Sequence, residues 1–367
     1  MMAGGRKVDK SFLLISIILI VAGFFIFSSA SLALLAKESS NYSSIAFSQT
    51  VFGLFAGTVV MIIVSRLDSQ IWKKSAFWLL LIAIIINILV LVPGIGFEHA
   101  GARRWIKLGA VSFQTSEMLK LAFIIYFAAW VAGVKEKMKT FYWGFLPLLV
   151  LFAISAVLLL KQPDTDNLIL IIIAGVAMFI AAGGKWRYVF SILLAVIIGL
   201  ALLAYARPYV MQRITTFLNP QTDIQGASYQ VQQSLIAVGS GGLFGRGFGQ
   251  SVQKFTYLPE PVGDSIFAVA AEEFGFVGSV FLLIMFVLFA TRGIKIASET
   301  SGVFGRLTVV GIVIMITSQA FVNIGAMLGV IPLSGITLPF VSHGGTSLFF
   351  TLLEVGIILS ISRARQS

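Results

Sequence analysis

The sequence predicts an all-α, polytopic membrane protein, a single integral membrane domain over residues 1–367 with about ten transmembrane helices. Three observations predict this. Of the 367 residues, 58% are hydrophobic and only 11% are charged, where a soluble domain carries roughly 25% charge. Mean hydropathy is +0.99. The apolar residues also fall in long runs, each near the roughly 20 residues that a helix needs to cross a bilayer. The net charge of +11 comes from basic residues scattered through short loops. They form no concentrated face, so no nucleic-acid partner is expected. Cysteine is absent, which excludes disulfides and thiol chemistry.

The first run, Ser11 to Ala36, follows Arg6, Lys7 and Lys10. It is too long for the apolar core of a signal peptide, and many such runs follow, so it reads as an uncleaved span. Further spans are expected near residues 44–65, 75–93, 114–134, 142–161, 166–183, 187–206, 265–291, 306–330 and 343–362. Glycines interrupt the sixth and the ninth. With a cytoplasmic N-terminus, the inside segments hold the larger share of Lys and Arg, including Lys73, Lys74, Lys135, Lys137, Lys139, Arg292, Arg306, Arg363 and Arg365. The outside share, including Lys37, Lys161, Arg207 and Arg213, is smaller and sits mostly in the two longest loops. This bias puts both termini in the cytoplasm.

The outside segments carry the polar chemistry. Residues 94–113 include "GARRWIKLGAVSF", a charged and aromatic stretch suited to the membrane interface. Residues 207–264 form the one long loop, between the seventh and eighth spans, read as a large extracytoplasmic loop. Within it, Tyr229 to Ala237 reads as a short amphipathic helix, and a glycine-rich run from Gly239 to Gly249 allows tight turns. The last external loop, "IPLSGITLPFVSHGG", reads as partly re-entrant, which requires cover by protein or a cavity.

Asp264 closes the long loop, at the mouth of the eighth span. It can cap that helix, act as a general base or hold a divalent cation such as Mg or Mn. Glu117 and Lys120 lie three apart on one helical face, so they pair with each other or line a polar cavity. Glu272 and Glu273 point about 100° apart, so at least one faces the bundle interior, where Lys120 or Arg103 is a candidate partner. Glu354 reads as a buried structural acid. Arg103, Arg104, Lys107, Arg246 and Lys254 can recognise phosphate or simply anchor helices at headgroups. His343 can act as a base or be a hydrogen-bonded loop residue, and His99 is a weaker candidate. Two histidines and no cysteine leave a structural zinc site unexpected. "GSGGLFGRGFG" matches neither a Walker loop nor a dinucleotide fingerprint, so no nucleotide cofactor is expected.

Five features together resemble the SEDS family of bacterial cell-wall polymerases (FtsW/RodA): the blocks "GARRWIKLGAVSFQTSEMLKLA" (101–122), "KQPDTDN" (161–167), residues 237–275 and residues 323–348, and the span layout itself. "GQSVQKFTYLPE" at 249–260 resembles the division branch, FtsW, more than the elongation branch, RodA. The resemblance implies a peptidoglycan glycosyltransferase that polymerises lipid II at the outer face of the cytoplasmic membrane, at the division septum. It implies a class B penicillin-binding protein and other divisome proteins as partners. It implies Asp264 as the catalytic residue and Glu117, Lys120 and Arg103 or Arg104 as substrate-binding, with Arg246 and Lys254 as further contacts. Glu272, Glu273, His343 and Asp164 are candidates for a supporting ring around them.

The chain also departs from the family pattern. The family usually reads HTD where this chain has Val262, Gly263 and Asp264, and QPDLGT where it has "QPDTDN", which adds Asp166. The usual Tyr of the last block is His343. Two other classes of function stay open at this level: a transporter of the lipid-linked precursor, and a non-catalytic scaffold that activates a transpeptidase.

Overall fold

The computed structural model describes residues 8–36, 42–99, 102–109, 111–219 and 227–363. Arg6, Lys7, Lys37, Arg365 and the Gly101 that opens the "GARRW" block lie outside the described residues, as do the side chains of His99 and Lys135.

The apolar runs form helices as expected, and polar residues set their ends. Helix α1 (Lys10–Ala36) starts where the Asp9 carboxylate accepts the Phe12 N–H at 2.9 Å. Helix α2 (Tyr42–Val64) has π-helical turns over Ser48–Ala56. Helix α3 (Ser69–Leu89) is capped by Asp68, which accepts the Gln70 N–H. Then follow α4 (Thr115–Val134), α5 (Phe141–Lys161), α6 (Thr165–Ala181) and α7 (Trp186–Ala206). The long loop carries α8 (Pro208–Leu218), α9 (Ala227–Ser240) and the single turn α10 (Gln253–Thr256). The last three are α11 (Ile266–Glu299), α12 (Val303–Met327) and α13 (Gly345–Arg363).

Among the described residues, nine helices are long and apolar enough to cross a membrane, and α6, with 17 residues, is a shorter apolar helix. The most buried spans are α12 and α13, which form the centre of the bundle, while α7 presents nearly all its surface outward. The Asp9 N–H donates to Ser362 Oγ, and Arg292 pairs with Asp9 at 2.7 Å. Both described chain ends therefore lie at one end of the bundle, beside the turn after α2, where Ser360 Oγ donates to the Leu67 carbonyl.

At the opposite end the structure departs from a purely helical expectation. Residues 96–114 fold into a three-stranded antiparallel sheet in the order β1 (Gly96–His99), β2 (Ala102–Leu108), β3 (Val111–Gln114). The stretch read as interfacial becomes β2, in which Trp105 pairs with Gln114, Ile106 with Phe113 and Lys107 with Ser112. Gly109, at φ +65°, makes the tight return to β3.

The long loop is likewise structured. Its glycine-rich part is stitched into a break in α11. Gly275, at φ 66° and ψ −162°, interrupts that helix. The carbonyls of Glu272 and Glu273 then accept the N–H groups of Arg246 and Gly247, each at 3.0 Å. The N–H groups of Phe276 and Val277 donate to the carbonyls of Gly242 and Leu243 at 2.9 and 3.1 Å. The loop thus supplies the partners that the broken helix lacks, as buried backbone requires. A Cβ on Gly275 would collide with the Gly245 backbone nitrogen, so the close approach needs glycine there.

Candidate active site

The loop from Tyr257 to Ser265 is held almost entirely through its backbone. Glu260 adopts a left-handed conformation, φ 45°, and its carbonyl accepts the N–H groups of Gly263 at 3.0 Å and Ser265 at 3.2 Å. The Val262 carbonyl accepts the His343 N–H at 2.7 Å, and the Gly263 carbonyl accepts Ser342 Oγ at 2.8 Å. Asn323, in the middle of the bundle, donates from one amide nitrogen to the Asp264 carbonyl at 2.8 Å and the Ile336 carbonyl at 2.7 Å. Ser265 Oγ accepts Gln230 Nε2 of α9 at 2.9 Å.

The Asp264 carboxylate itself accepts no hydrogen bond from any described residue. Ser265 occupies the position before α11, which has no side-chain cap. The capping reading of Asp264 is thereby corrected. The nearby N–H groups of Gly263 and Ser265 are taken by the Glu260 carbonyl, and that of Ala268 by the Ser265 carbonyl, which frees the carboxylate to face outward.

What it faces is a set of charges gathered around Gly335. A Cβ at Gly335 would lie 3.7 Å from Asp264 Oδ2 and 4.0 Å from Arg213 Nη2. Arg213, on α8, donates from Nη1 to both oxygens of Asp166 at 3.0 Å. Asp166 Oδ2 also accepts the Gly335 N–H at 3.3 Å. On the other side, Arg104 of β2 donates to the Gln162 carbonyl at 3.0 Å and to the Pro163 carbonyl, and lies 4.0 Å from Asp164. Asp164 is buried and accepts Asn167 Nδ2 at 2.9 Å. Burial raises the Asp264 pKa to about 7; Glu260 and Asp166 add to the rise, and Arg213 and Arg104 oppose it.

Glu117 and Lys120 lie beneath this cluster. Lys120 Nζ donates to Glu117 Oε1 and to Gln319 Oε1, each at 2.9 Å. Gln319 Nε2 donates to the Thr337 carbonyl at 3.0 Å, next to the Ile336 that Asn323 holds. The buried ion pair therefore supports the Gly335 loop from below and connects to the Asp264 backbone through two side chains, Gln319 and Asn323.

Other candidates fall elsewhere. Glu272 and Glu273 do not pair with Lys120 or Arg103. Glu272 accepts Ser251 Oγ at 2.5 Å and the Val252 N–H at 3.0 Å, with Arg246 at 3.5 Å. Glu273 accepts Lys254 Nζ and Ser29 Oγ, each at 2.6 Å. Chain topology is the reason: the glycine-rich segment folds back on α11 and brings its own cations. The Lys254 side chain is 0% exposed, so its reading as a phosphate contact is corrected to a buried structural partner. Arg246 stays part-exposed on the same segment, and Arg103 pairs with Glu98 at 3.0 Å on the surface of the sheet. The His343 ring stacks on Phe27, and burial lowers its pKa to about 4, so it is neutral near pH 7.

Sequence reasoning missed Asp166 and Arg213 as site residues. Asp166 stood out only as an addition to "QPDTDN", and Arg213 only as one more basic residue in the long loop. No local pattern joins them; α8 folding against the start of α6 does. No group of three or more His, Cys, Asp or Glu among the described residues is arranged to hold a metal ion.

Fold and site together define a polytopic membrane protein with an unbonded carboxylate, flanked by two guanidiniums, at one mouth of its bundle. Residues 9–367 match the family model for the FtsW, RodA and SpoVE proteins, described as cell cycle protein, and the chain belongs to that family. It is 40% identical over 84% of its length to stage V sporulation protein E of Bacillus subtilis, covering 85% of that protein. It is 37% identical to a probable peptidoglycan glycosyltransferase FtsW of Geobacter sp. strain M18, over 96% of each chain. Its fold matches a chain of a solved peptidoglycan synthase complex that coordinates polymerization and crosslinking, with TM-score 0.81, 27% identity and 98% of each chain covered. It also matches the rod shape determining protein RodA of Thermus thermophilus, with TM-score 0.70, 26% identity and 98% of each chain covered.

Proposed function

We propose that this protein is a peptidoglycan glycosyltransferase that polymerises lipid II at the outer face of the cytoplasmic membrane, with Asp264 as its catalytic base. The observation that carries this reading is a carboxylate without hydrogen bonds among the described residues, beside Arg213 and in a loop whose backbone is fastened at nearly every residue. That arrangement preorganises a group for contact with something the protein does not itself supply. Its pKa of about 7 suits proton abstraction near neutral pH.

In the proposed reaction, Asp264 takes the proton of the acceptor sugar's 4-hydroxyl. That oxygen attacks the donor's muramyl carbon, and the bond from this carbon to the pyrophosphate oxygen breaks with inversion. The electron pair leaves with the undecaprenyl pyrophosphate. Arg213 and Arg104, the two cations that already lower the Asp264 pKa, offset the charge on that leaving group. Arg213 is shared with Asp166, so substrate pyrophosphate competes with that carboxylate for it.

A divalent ion fits only in part. Asp264 offers a carboxylate without a hydrogen bond among the described residues, while Asp166 is occupied by Arg213 and the Gly335 N–H. Magnesium or manganese commonly takes one or two carboxylates and completes its shell with substrate phosphates. Asp264 would then hold the ion, which would supply charge stabilisation at the pyrophosphate.

The topology follows the same reading. Contacts between Asp9 and Ser362 support an even number of crossings, which makes α6 the tenth. The lysine and arginine bias supports both termini in the cytoplasm, which places residues 207–264 and Asp264 outside. The donor's lipid tail then lies along the apolar bundle while its sugars meet the carboxylate in water. A penicillin-binding protein of class B is the proposed partner, supported by the likeness to a synthase complex that couples polymerization to crosslinking. The role in septal wall synthesis rests on likeness to proteins named FtsW, and an elongation role is the alternative. The test is lipid II polymerisation by purified Asp264→Ala and Asp264→Asn with the partner present. Loss of glycan with intact folding supports the assignment; full-length glycan from either variant overturns it and leaves the transporter or scaffold readings.

A further inference from the structure

A second built cavity lies at the opposite end of the molecule, about 670 Å³ in volume, within the roughly 300–1,000 Å³ typical of small-ligand sites. Its wall is formed where α3 and α12 begin and where α4, α6 and α13 end. Three cations line it: Lys73 in α3, Lys139 between α4 and α5, and Arg306 in the first turn of α12. The one acid among the lining residues is Glu136, which is exposed. None of the three cations is in an ion pair among the described residues.

Arg306 is the sharpest feature. Its Nε is buried without a hydrogen-bond partner. Elsewhere in the chain, buried or half-buried guanidiniums are answered: Arg292 by Asp9, Arg213 by Asp166, Arg104 by backbone carbonyls. Beside Arg306, α12 opens at Gly302 with no side-chain cap and no acid in its first turn. The residues of that turn and Arg306 all line the cavity, and a helix N-terminus beside an arginine favours an anion. The deep wall is apolar, built from Met138, Phe304 and Ile361, all nearly inaccessible.

We infer that this cavity binds a phosphate group, carried by an anionic phospholipid headgroup or by a soluble phosphate compound. A phosphate has enough oxygens to meet the guanidinium, the helix N–H groups and a lysine at once. The apolar wall accommodates the non-polar part of an amphiphile. The inference is independent of Asp264 and uses only the proposed sidedness, which puts the cavity at the cytoplasmic surface. The competing structural role is that the cations merely complement the carbonyl ends of α4, α6 and α13. That role requires no ligand.

The test uses the full chain in phosphatidylcholine nanodiscs. One arm titrates inorganic phosphate and pyrophosphate by calorimetry. The other adds phosphatidylglycerol to the discs and counts retained lipid by native mass spectrometry. Arg306→Gln combined with Lys73→Gln is expected to weaken binding at least about tenfold, and Arg306→Lys, which keeps the charge but not the guanidinium, to weaken it less. Lys139→Gln, on the exposed rim, keeps the test open if the double variant does not fold, with an expected loss of about threefold. Binding of the soluble probes that the variants lose supports a soluble source; selective retention of phosphatidylglycerol that they lose supports a lipid source. No binding in either arm, equal binding by wild type and variants, or occupation by an acidic peptide when both phosphate probes fail would overturn the inference.

Discussion

Two acidic sites flank the start of α11, and they are treated in opposite ways. Glu272 and Glu273, inside α11, are saturated: between them they accept Ser29, Ser251, Val252 and Lys254, with Arg246 alongside. Asp264, just before that helix, accepts nothing from the described residues, although its own backbone is tied by Asn323. A buried carboxylate with every lone pair answered fastens one segment to another. A recessed carboxylate left unanswered raises the free energy of the folded state, and such groups cluster at functional sites. Glu354, buried in α13 and likewise without a hydrogen bond among the described residues, lies inside a span, so it is the place of Asp264 at the bundle mouth, beside Arg213, that marks it for chemistry.

The largest expected effect breaks the comparison at Asp264. Replacing it by Ala or Asn should lower lipid II polymerisation by at least about 100-fold, the lower range of a general base, with no loss of folding. Stability should even rise, in a pH-dependent way. With a folded-state pKa of about 7 against an ordinary value of 3.8, the folded protein holds a proton that the unfolded chain has lost. Stability therefore falls as pH rises from about 4 to about 7. Asp264→Asn removes that penalty, so its melting temperature should exceed that of the wild type at pH 8 and match it near pH 4. A melting temperature lowered equally at both values would mark Asp264 as structural.

The saturated site should respond in the reverse sense. Glu273→Ala strands Lys254, which has no exposed surface, and breaking a buried pair costs about 3–5 kcal/mol. The melting temperature should drop by several degrees, with activity lost through release of the glycine-rich segment. Replacing both partners by methionine should recover much of that loss, since it leaves no unpaired charge. Failure of the double variant to recover would mean that the pair does more than hold the segment.

Much of this fold was legible because its strongest signal, the long apolar run, does not depend on distant residues. Span boundaries and the isolated Asp264 were both readable in that way. The sheet was not, because "RRWIKL" is short, has no strict two-residue alternation and suits an interfacial reading equally well. At least one of Glu272 and Glu273 was readable as inward-facing but their partners were not, since Ser29 is separated from Glu273 by 244 positions. Arg213 carried no local signal; only the fold of α8 against α6 gives it a role. The distinction between the two acidic sites is likewise a property of hydrogen bonding, which residue types alone do not fix.

A smaller effect is expected at the seam between the two sites. Gly275→Ala forces a side chain into the break where the glycine-rich segment meets α11, at a φ of 66°. Such a conformation costs a non-glycine residue roughly 1–3 kcal/mol. The variant should lose stability while Asp264 keeps its pH behaviour, because the loop at Asp264 is anchored separately by Asn323, Ser342 and His343. Hydrogen exchange at residues 242–247 reads the seam directly, and unchanged protection there would remove the claim that Gly275 holds it.

The finest test uses the charges around Gly335. Wild-type polymerisation should rise with pH as Asp264 loses its proton and level off above about 7. Arg213 lowers the Asp264 pKa and Asp166 raises it, so neutralising each should move the midpoint of that profile in opposite directions. Arg213→Gln should shift it to higher pH, and Asp166→Asn to lower pH, each by a few tenths of a unit to about 1 unit at these part-exposed positions. Arg213→Gln should also raise the KM for lipid II by about tenfold if the guanidinium meets the pyrophosphate. Asp166→Asn frees that guanidinium from its carboxylate and should leave KM unchanged or lower it. Parallel shifts in both variants would show that they act through the shape of the loop; opposite shifts show that Asp264 titrates in the field of this pair.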